Sequence, residues 1–229
     1  MRTAKPPSAA EVTPAPELVD RFRRDLAAIW KRASASDARL GLAVSGGGDS
    51  LALLLLAHAA LPGRIAVATV DHGLRPENGT EAAMVAALCE RLGVPPETLP
   101  VRLDPGNMQD RARTARYAAL VQWCGENGLG ALATAHQLDD QAETLVMRLN
   151  RGSGLAGLAG VRARGALDEA GLPVLRPLLG WRRKELAEVV AAAGISPVSD
   201  PSNEDPRFDR VRVRQALAGA DWLDPAMLA

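Results

Sequence analysis

Residues 40–61 read LGLAVSGGGDSLALLLLAHAAL, and the order of their parts decides the fold. A short apolar run, Leu40 to Val44, is followed by SGGGDS, Ser45 to Ser50. Next comes a stretch from Leu51 to Leu61 that lacks Gly and Pro and is apolar almost all round. The first part predicts a strand and the last a helix packed on a sheet, since a helix with a wet face carries a polar stripe at its own period. A strand-to-helix junction presents unpaired backbone N–H groups and the positive end of the helix dipole, which together favour an anion. Gly46, Gly47 and Gly48 let the main chain wrap closely round phosphate oxygens, where a Cβ would collide or forbid positive φ. Ser45 and Ser50 add hydroxyl donors. Asp49 is the odd member, because a carboxylate beside phosphates repels them unless a cation lies between or the group caps the helix. A Mg²⁺ ion close to Asp49 is therefore expected. The same string also suits a glycine-rich turn with Asp as its cap.

Outward from this junction the pattern repeats. IAVATV (65–70) is β-branched and ends in DHG, and EAAMVAALCERLG (81–93) places Met84, Val85, Leu88, Cys89 and Leu92 on one face before stopping at a glycine. TLPVRL (98–103), the helix-like 109–128, GALATA (130–135) and LDDQAETLVMRLN (138–150) continue the alternation. Near-continuous apolar strands separated by helices predict an α/β fold, a doubly wound, Rossmann-like parallel sheet covered on both faces. Ligands of such sheets bind at the carboxyl ends of the strands, which here carry SGGGDS, DHG and AHQLDD.

The remaining segments divide the chain into three. Residues 1–38 read as a Pro/Ala-rich flexible lead-in and an amphipathic helix with Leu18, Phe22, Leu26 and Ile29 in phase. Residues 39–164 read as the α/β core domain that carries the glycine loop, and 165–229 as a small accessory helical region packing on the core. RGSGLAGLAGVRARGA (151–166) has no clear period and reads as a mobile loop. PVLRPLL (173–179) is strand-like, 181–193 helical, and SDPSNEDPRFDRVRVRQAL (199–217) polar and Pro-interrupted.

Composition narrows the class. Four Trp, two Phe and one Tyr leave the core to aliphatic side chains. Lys+Arg and Asp+Glu are both 27, so net charge makes no case for nucleic acid, although the early part is slightly acidic and the later part slightly basic. Cys89 and Cys124 lie far apart in helix-like segments, which predicts reduced, buried thiols and a cytoplasmic setting. No apolar run approaches the ~18 residues of a membrane span, so no membrane partner is expected.

Chemistry-bearing side chains cluster in two further stretches. His136 stands at a strand end, with Asp139 and Glu143 one helical turn apart on one face and Asp140 adjacent. Two acids at a helix start also simply cap it and complement its dipole. Arg113 and Arg116 share a helix face that suits a carboxylate bidentately or stays a solvated basic face, and His58, inside an apolar helix, reads as structural.

SGGGDS is similar to the SGGxDS loop of the N-type ATP pyrophosphatases, which grip the pyrophosphate of ATP and split between the α and β phosphates. AHQLDDQAET followed by RGSGLAGLAG resembles the HxxDDQAET and RGSGxxGLxG signatures of the tRNA(Ile)-lysidine synthetases. VDHGLRPE, NMQDRARTARYAAL, RPLLGWRRKEL and SDPSNEDPRFDR look like further segments of that family, over roughly residues 40–215. The resemblance implies ATP and Mg²⁺ as cofactors, a tRNA(Ile) with a CAU anticodon and free L-lysine as substrates, and adenylation of the wobble cytidine followed by attack of the lysine ε-amine. It implies catalytic roles for Asp49, His136, Asp139, Asp140 and Arg113, and nucleotide contacts from residues 45–50 with Asp71 and His72. It further implies substrate contacts from Glu143, Arg116, Arg151, Gly152 and Ser153. Asp139, Asp140 and Glu143 suit the amino groups of lysine, and Arg113 or Arg116 its carboxylate. Arg162, Arg164, Arg182, Arg183 and Lys184 offer RNA phosphate contacts, Asp200, Ser202, Asn203, Asp205 and Arg210 match family positions or simply pin the accessory loop, and a homodimer stays open. Val211 stands where the family tends to carry a polar residue. A tRNA thiolase and a non-catalytic nucleotide- or RNA-binding module are the rival expectations.

Overall fold

The computed structural model describes residues 12–71, 77–101, 108–166, 171–198 and 205–229, with backbone alone at 77–80, 108–112 and 156. Its elements run α1 (Pro16–Ile29), β1 (Leu40–Ala43), α2 (Gly48–Ala60), β2 (Ile65–Asp71), α3 (Glu77–Leu92), β3 (Pro96–Pro100), α4 (Met108–Glu126) and β4 (Ala131–Ala133). They continue with α5 (Leu138–Asn150), α6 (Leu155–Leu158), β5 (Arg164–Ala166), β6 (Pro173–Leu175), α7 (Arg183–Ala192) and α8 (Asp209–Ala218). The strands form one sheet of order β3-β2-β1-β4-β6-β5. Every pairing is parallel except that of β5 with β6, so the expectation of a parallel sheet holds for five strands and the last folds back as a hairpin arm.

Both β2 and β4 pair with β1 from Leu40 onward, chain order reverses between β1 and β4, and this switch point opens a crevice at the carboxyl ends. One face of the sheet carries α1, α2 and α7 over a large aliphatic core. The residues Leu51 to Ala57 of α2 are all buried because this helix is enclosed by the sheet, α1 and α7. Each fully buried leucine contributes about 1.5–3 kcal/mol relative to exposure. The other face packs α4 through Leu120, Trp123 and Cys124. Gly41 makes that contact close: a Cβ there would lie 2.8 Å from the Trp123 ring and 2.9 Å from Leu129.

Three expectations are revised. The boundary between 164 and 165 falls inside β5, and β6 joins the main sheet, so the accessory part extends the core rather than sitting beside it. The segment expected as a mobile loop holds α6 and is fastened by side chains: Gln141 clamps the backbone of Val161 on both sides, at 2.8 and 2.7 Å, and Arg148 donates to the Ala159 carbonyl. Residues 209–217, the end of the segment read as polar and Pro-interrupted, lie in α8. Val211 is its one buried residue among those described, which accounts for an apolar side chain at that position, and the helix has no apolar period to betray it. At the far edge, β3 runs from Pro96 to Pro100, beginning two residues before the TLPVRL stretch and ending three before its last residue.

Candidate nucleotide-binding site

The glycine loop owes its path to main-chain geometry. Gly46 has φ +86°, a left-handed conformation costly for side-chain-bearing residues, and a Cβ there would meet Met84 at 3.2 Å. Gly47 is the N-cap of α2 and no side chain caps it, so Asp49 does not perform the capping role open to it. Ser50 donates its hydroxyl to the Gly47 carbonyl at 2.8 Å and accepts from the Ser45 amide at 3.2 Å, with Ser45 Oγ at 3.4 Å. Its hydroxyl thus braces the loop from beneath. Above the loop, the Val198 amide donates to the Gly46 carbonyl at 3.3 Å.

In front of the loop lies a cavity of about 830 Å³ at the carboxyl ends of β1, β2 and β4. Ser45, Gly47, Gly48, Asp49 and Ser50 line it, together with Arg113, Arg116, Tyr117, His136, Arg183, Arg210 and Arg214. Five arginines against few acids make it a site for an anion.

Burial pushes the Asp49 carboxyl up to about 6; Arg183 opposes the rise, Asp140 adds to it, and Gln137 and Arg214 oppose it more weakly. A cation here favours the ionised form. Among the described residues no three His, Cys, Asp or Glu groups converge to hold a metal. One carboxylate facing a phosphate site fits the donor set of Mg²⁺, which binds through one or two carboxylates, phosphate oxygens and water.

His136 sits at the end of β4, with Nδ1 3.0 Å from Thr134 Oγ1. Burial lowers its pKa to about 4, reinforced by Arg176, Arg113, Arg210 and Arg116, so the imidazole is neutral at pH 7. Arg113 and Arg116 flank Tyr117 with their guanidinium carbons 5.0 and 5.3 Å from the ring centre, so they do share a face of α4.

The acids of α5 are placed differently from expectation. Asp140 accepts from the Gln137 amide at 3.1 Å, while Gln137 Oε1 accepts from the Asp139 amide at 2.5 Å, a reciprocal cap. Asp139 takes the Arg183 amide at 2.7 Å and Arg182 Nε at 3.2 Å, tying the start of α7 to the start of α5. Glu143, 2% exposed at its side chain, accepts from Arg183 (2.9 Å), Arg210 (2.8 Å) and Arg214 (2.9 Å). Burial alone raises its pKa, but the three arginines win and hold it below the usual range. Asp140 also pairs with Arg183 and Arg210, yet burial prevails and its carboxyl is raised. These three acids are engaged by guanidinium and amide groups, not presented as open carboxylates for amino groups.

Other expected residues lie elsewhere. Asp71 ends β2 just beyond the cavity wall formed by Thr69 and Val70, and its carbonyl accepts from Val101 at 2.8 Å. His72 lies outside the described residues, as do Asp200, Ser202, Asn203 and the Arg111 side chain. Arg151, Gly152 and Ser153 follow the last turn of α5, about 20 Å along the helix from its start. There Arg151 pairs with Asp209 at 3.5 Å, so the structure does not bring this trio to the cavity. His58 is structural as read, with Nε2 3.0 Å from the Leu92 carbonyl. Arg214 carried no individual role in the sequence reading, and Arg210 only that of a pin. Their four-residue spacing was the available signal, since it sets both on one side of any helix.

A doubly wound sheet with a glycine loop and a cationic cavity at its switch point defines a phosphate-gripping, nucleotide-binding α/β protein. More particularly, a family model described as a PP-loop domain matches residues 18–220, and the chain belongs to that ATP-binding family. It is 54% identical over 211 residues to a tRNA(Ile)-lysidine synthase of Novosphingobium aromaticivorans, covering 91% of this chain and 63% of that protein. It is 48% identical over 195 residues to a tRNA(Ile)-lysidine synthase of Zymomonas mobilis, covering 83% and 59%. The chain thus spans about three-fifths of the length of these curated relatives. In fold it is similar to the U34-tRNA thiolase NcsA of Methanococcus maripaludis, with a TM-score of 0.71 at 17% identity over 92% of this chain and 75% of that one.

Proposed function

We propose that the chain is an ATP-dependent ligase of the tRNA(Ile)-lysidine synthase type, which adenylates the wobble cytidine of a CAU-anticodon tRNA(Ile) and joins free L-lysine to it, releasing AMP and pyrophosphate. The observation that carries the reading is the meeting of the SGGGDS loop, His136 and the Arg113/Arg116 pair around one cavity. The curated relatives bearing that name support it.

The chemistry poses two electrostatic problems. A pyrimidine carbonyl oxygen is a weak nucleophile, so it must be held in line with the α-phosphate while charge growing on pyrophosphate is neutralised. The loop amides, the start of α2 and the arginines serve that end. Asp49 would hold a Mg²⁺ ion, which would supply further neutralisation of phosphate charge. Lysine must then be oriented: Arg113 and Arg116 receive its carboxylate. His136, held neutral, offers a ring nitrogen to the base or the incoming amine without adding another charge to the arginine-lined wall. Two reduced, buried thiols support a cytoplasmic setting. Among the described residues no helix is long and apolar enough to cross a membrane.

Cys89 and Cys124 speak against sulfur transfer as the alternative. They sit in cores on opposite faces of the sheet, and burial pushes their thiols up to about 11 and 12, away from the thiolate a cluster or persulfide needs. Incubation with ATP, labelled lysine and the two CAU-anticodon tRNAs, isoleucine and methionine, tests the proposal. Label should enter only the isoleucine tRNA; none in either, with protein folded and ATP bound, overturns it.

A further inference from the structure

Arginines of α7 and α8 converge on one buried acid of α5. Glu143 binds three guanidinium groups at 2.8–2.9 Å. Arg183 and Arg210 share Asp140 as a second partner. Arg214 meets Glu143 through Nε, and among the described residues no further bond engages its terminal nitrogens. All three arginines line the cavity, whereas Glu143 does not. A guanidinium carries five N–H donors, so each has donors left for a ligand.

Direction follows from the cavity lining: Gly47, Gly48 and Ser50 of the glycine loop line the same cavity as Arg183, Arg210 and Arg214. The loop supplies neutral amide donors, and the arginines add guanidinium charge suited to an anion. Left to itself, a half-exposed arginine samples many rotamers; Glu143 fixes Arg210 and Arg214 through Nε and Arg183 through one terminal nitrogen, which leaves their other N–H groups aimed.

We infer that Glu143 is a positioning residue which aligns Arg183, Arg210 and Arg214 as a second phosphate grip opposite the glycine loop, and that this grip binds the pyrophosphate end of the nucleotide. The inference deepens the proposed function at its ATP end and depends on that end alone. It assigns Glu143 a role through arginine rather than through lysine. It also makes α8 part of the nucleotide site, although α8 follows the glycine loop by some 160 residues.

The test is calorimetric titration of the purified full chain with inorganic pyrophosphate in EDTA-containing buffer. The proteins are wild type, Glu143→Gln, Arg214→Met and the double variant, each checked for fold by circular dichroism. Each single change should weaken pyrophosphate about 10-fold, and the double variant should bind no worse than the weaker single within about 2-fold, because one interaction unit is lost in each case. A purely structural Glu143 would give additive losses. Additive losses, unchanged affinity or tighter binding in Glu143→Gln would each overturn the proposal. If Glu143→Gln fails to fold, Arg214→Met and Arg210→Met, altered at partly exposed side chains, decide alone: unchanged pyrophosphate affinity in both sinks the grip. A parallel titration with a short single-stranded RNA separates the sources of phosphate. Loss for RNA with none for pyrophosphate assigns the wall to phosphodiesters and also overturns the proposal. Failed lysine transfer with the pyrophosphate cycle intact would remove the ligase reading and leave this one standing.

Discussion

The two walls of the cavity are built by opposite means. One is main chain: the SGGGDS loop, its positive-φ glycine and the start of an all-apolar helix, held by bonds within six consecutive residues. The other is side chain: α5, α7 and α8 joined by ion pairs between residues 40 to 71 positions apart. The main-chain wall is sensitive to a Cβ at Gly46, where φ is positive and Met84 lies close, whereas the side-chain wall depends on its acids, Glu143 above all.

The largest expected effect is on the side-chain wall. Glu143→Ala leaves three guanidiniums facing each other and should destabilise the protein by on the order of 3 kcal/mol, near the low end for breaking a buried pair because the arginines are partly solvated. Chemical denaturation measures it, and a loss within experimental error would mean the wall is not electrostatically held. On the main-chain wall, Gly46→Ala meets both a left-handed φ and Met84, so a cost of about 1–2 kcal/mol is expected together with loss of ATP binding. Retention of wild-type nucleotide affinity in that variant would erase the contrast.

A pH experiment sharpens it. The Asp49 carboxyl is raised in the folded state, so its contribution to stability is present below its unfolded value near 4 and is lost as pH rises towards about 6. The His136 imidazole is lowered to about 4, so its protonation opposes folding, and stability gained from its neutral form is lost as pH falls from about 6.5 towards 4. The two slopes oppose each other. In metal-free protein Asp49→Asn should make stability rise with pH across this window, and His136→Asn should make it fall; a parallel response of the two variants contradicts both assignments. The smallest effect belongs to Thr134→Val, which removes the 3.0 Å partner of His136 and should cost about 1 kcal/mol in thermal melts.

What the sequence disclosed follows the same division. Residues 40–61 announced a strand, a loop and a helix because each property is local: apolar run, glycine triplet, all-round hydrophobicity. The parallel sheet and the ligand end followed from that alternation, whereas the strand order did not. Asp139, Asp140 and Glu143 were visible as a cluster but not as occupied groups, since their arginine partners lie 40 or more residues away and no local rule pairs them. Helix α8 was missed for a related reason: its three arginines answer to acids on α5 and on α8 itself rather than to an apolar stripe. The clamp of Gln141 on Val161 was equally hidden, because a glutamine on a helix surface carries no sign of what it holds.

The two border strands of the sheet limit how this protein meets its neighbours. β3 starts and finishes with proline, which has no N–H to offer a newcomer, and β5 is only three residues long with an arginine at its head. Lateral docking of a foreign strand is therefore obstructed on both flanks. Any companion, whether nucleic acid or polypeptide, is directed to the helices and to the mouth at the strand tips, where the chemistry is.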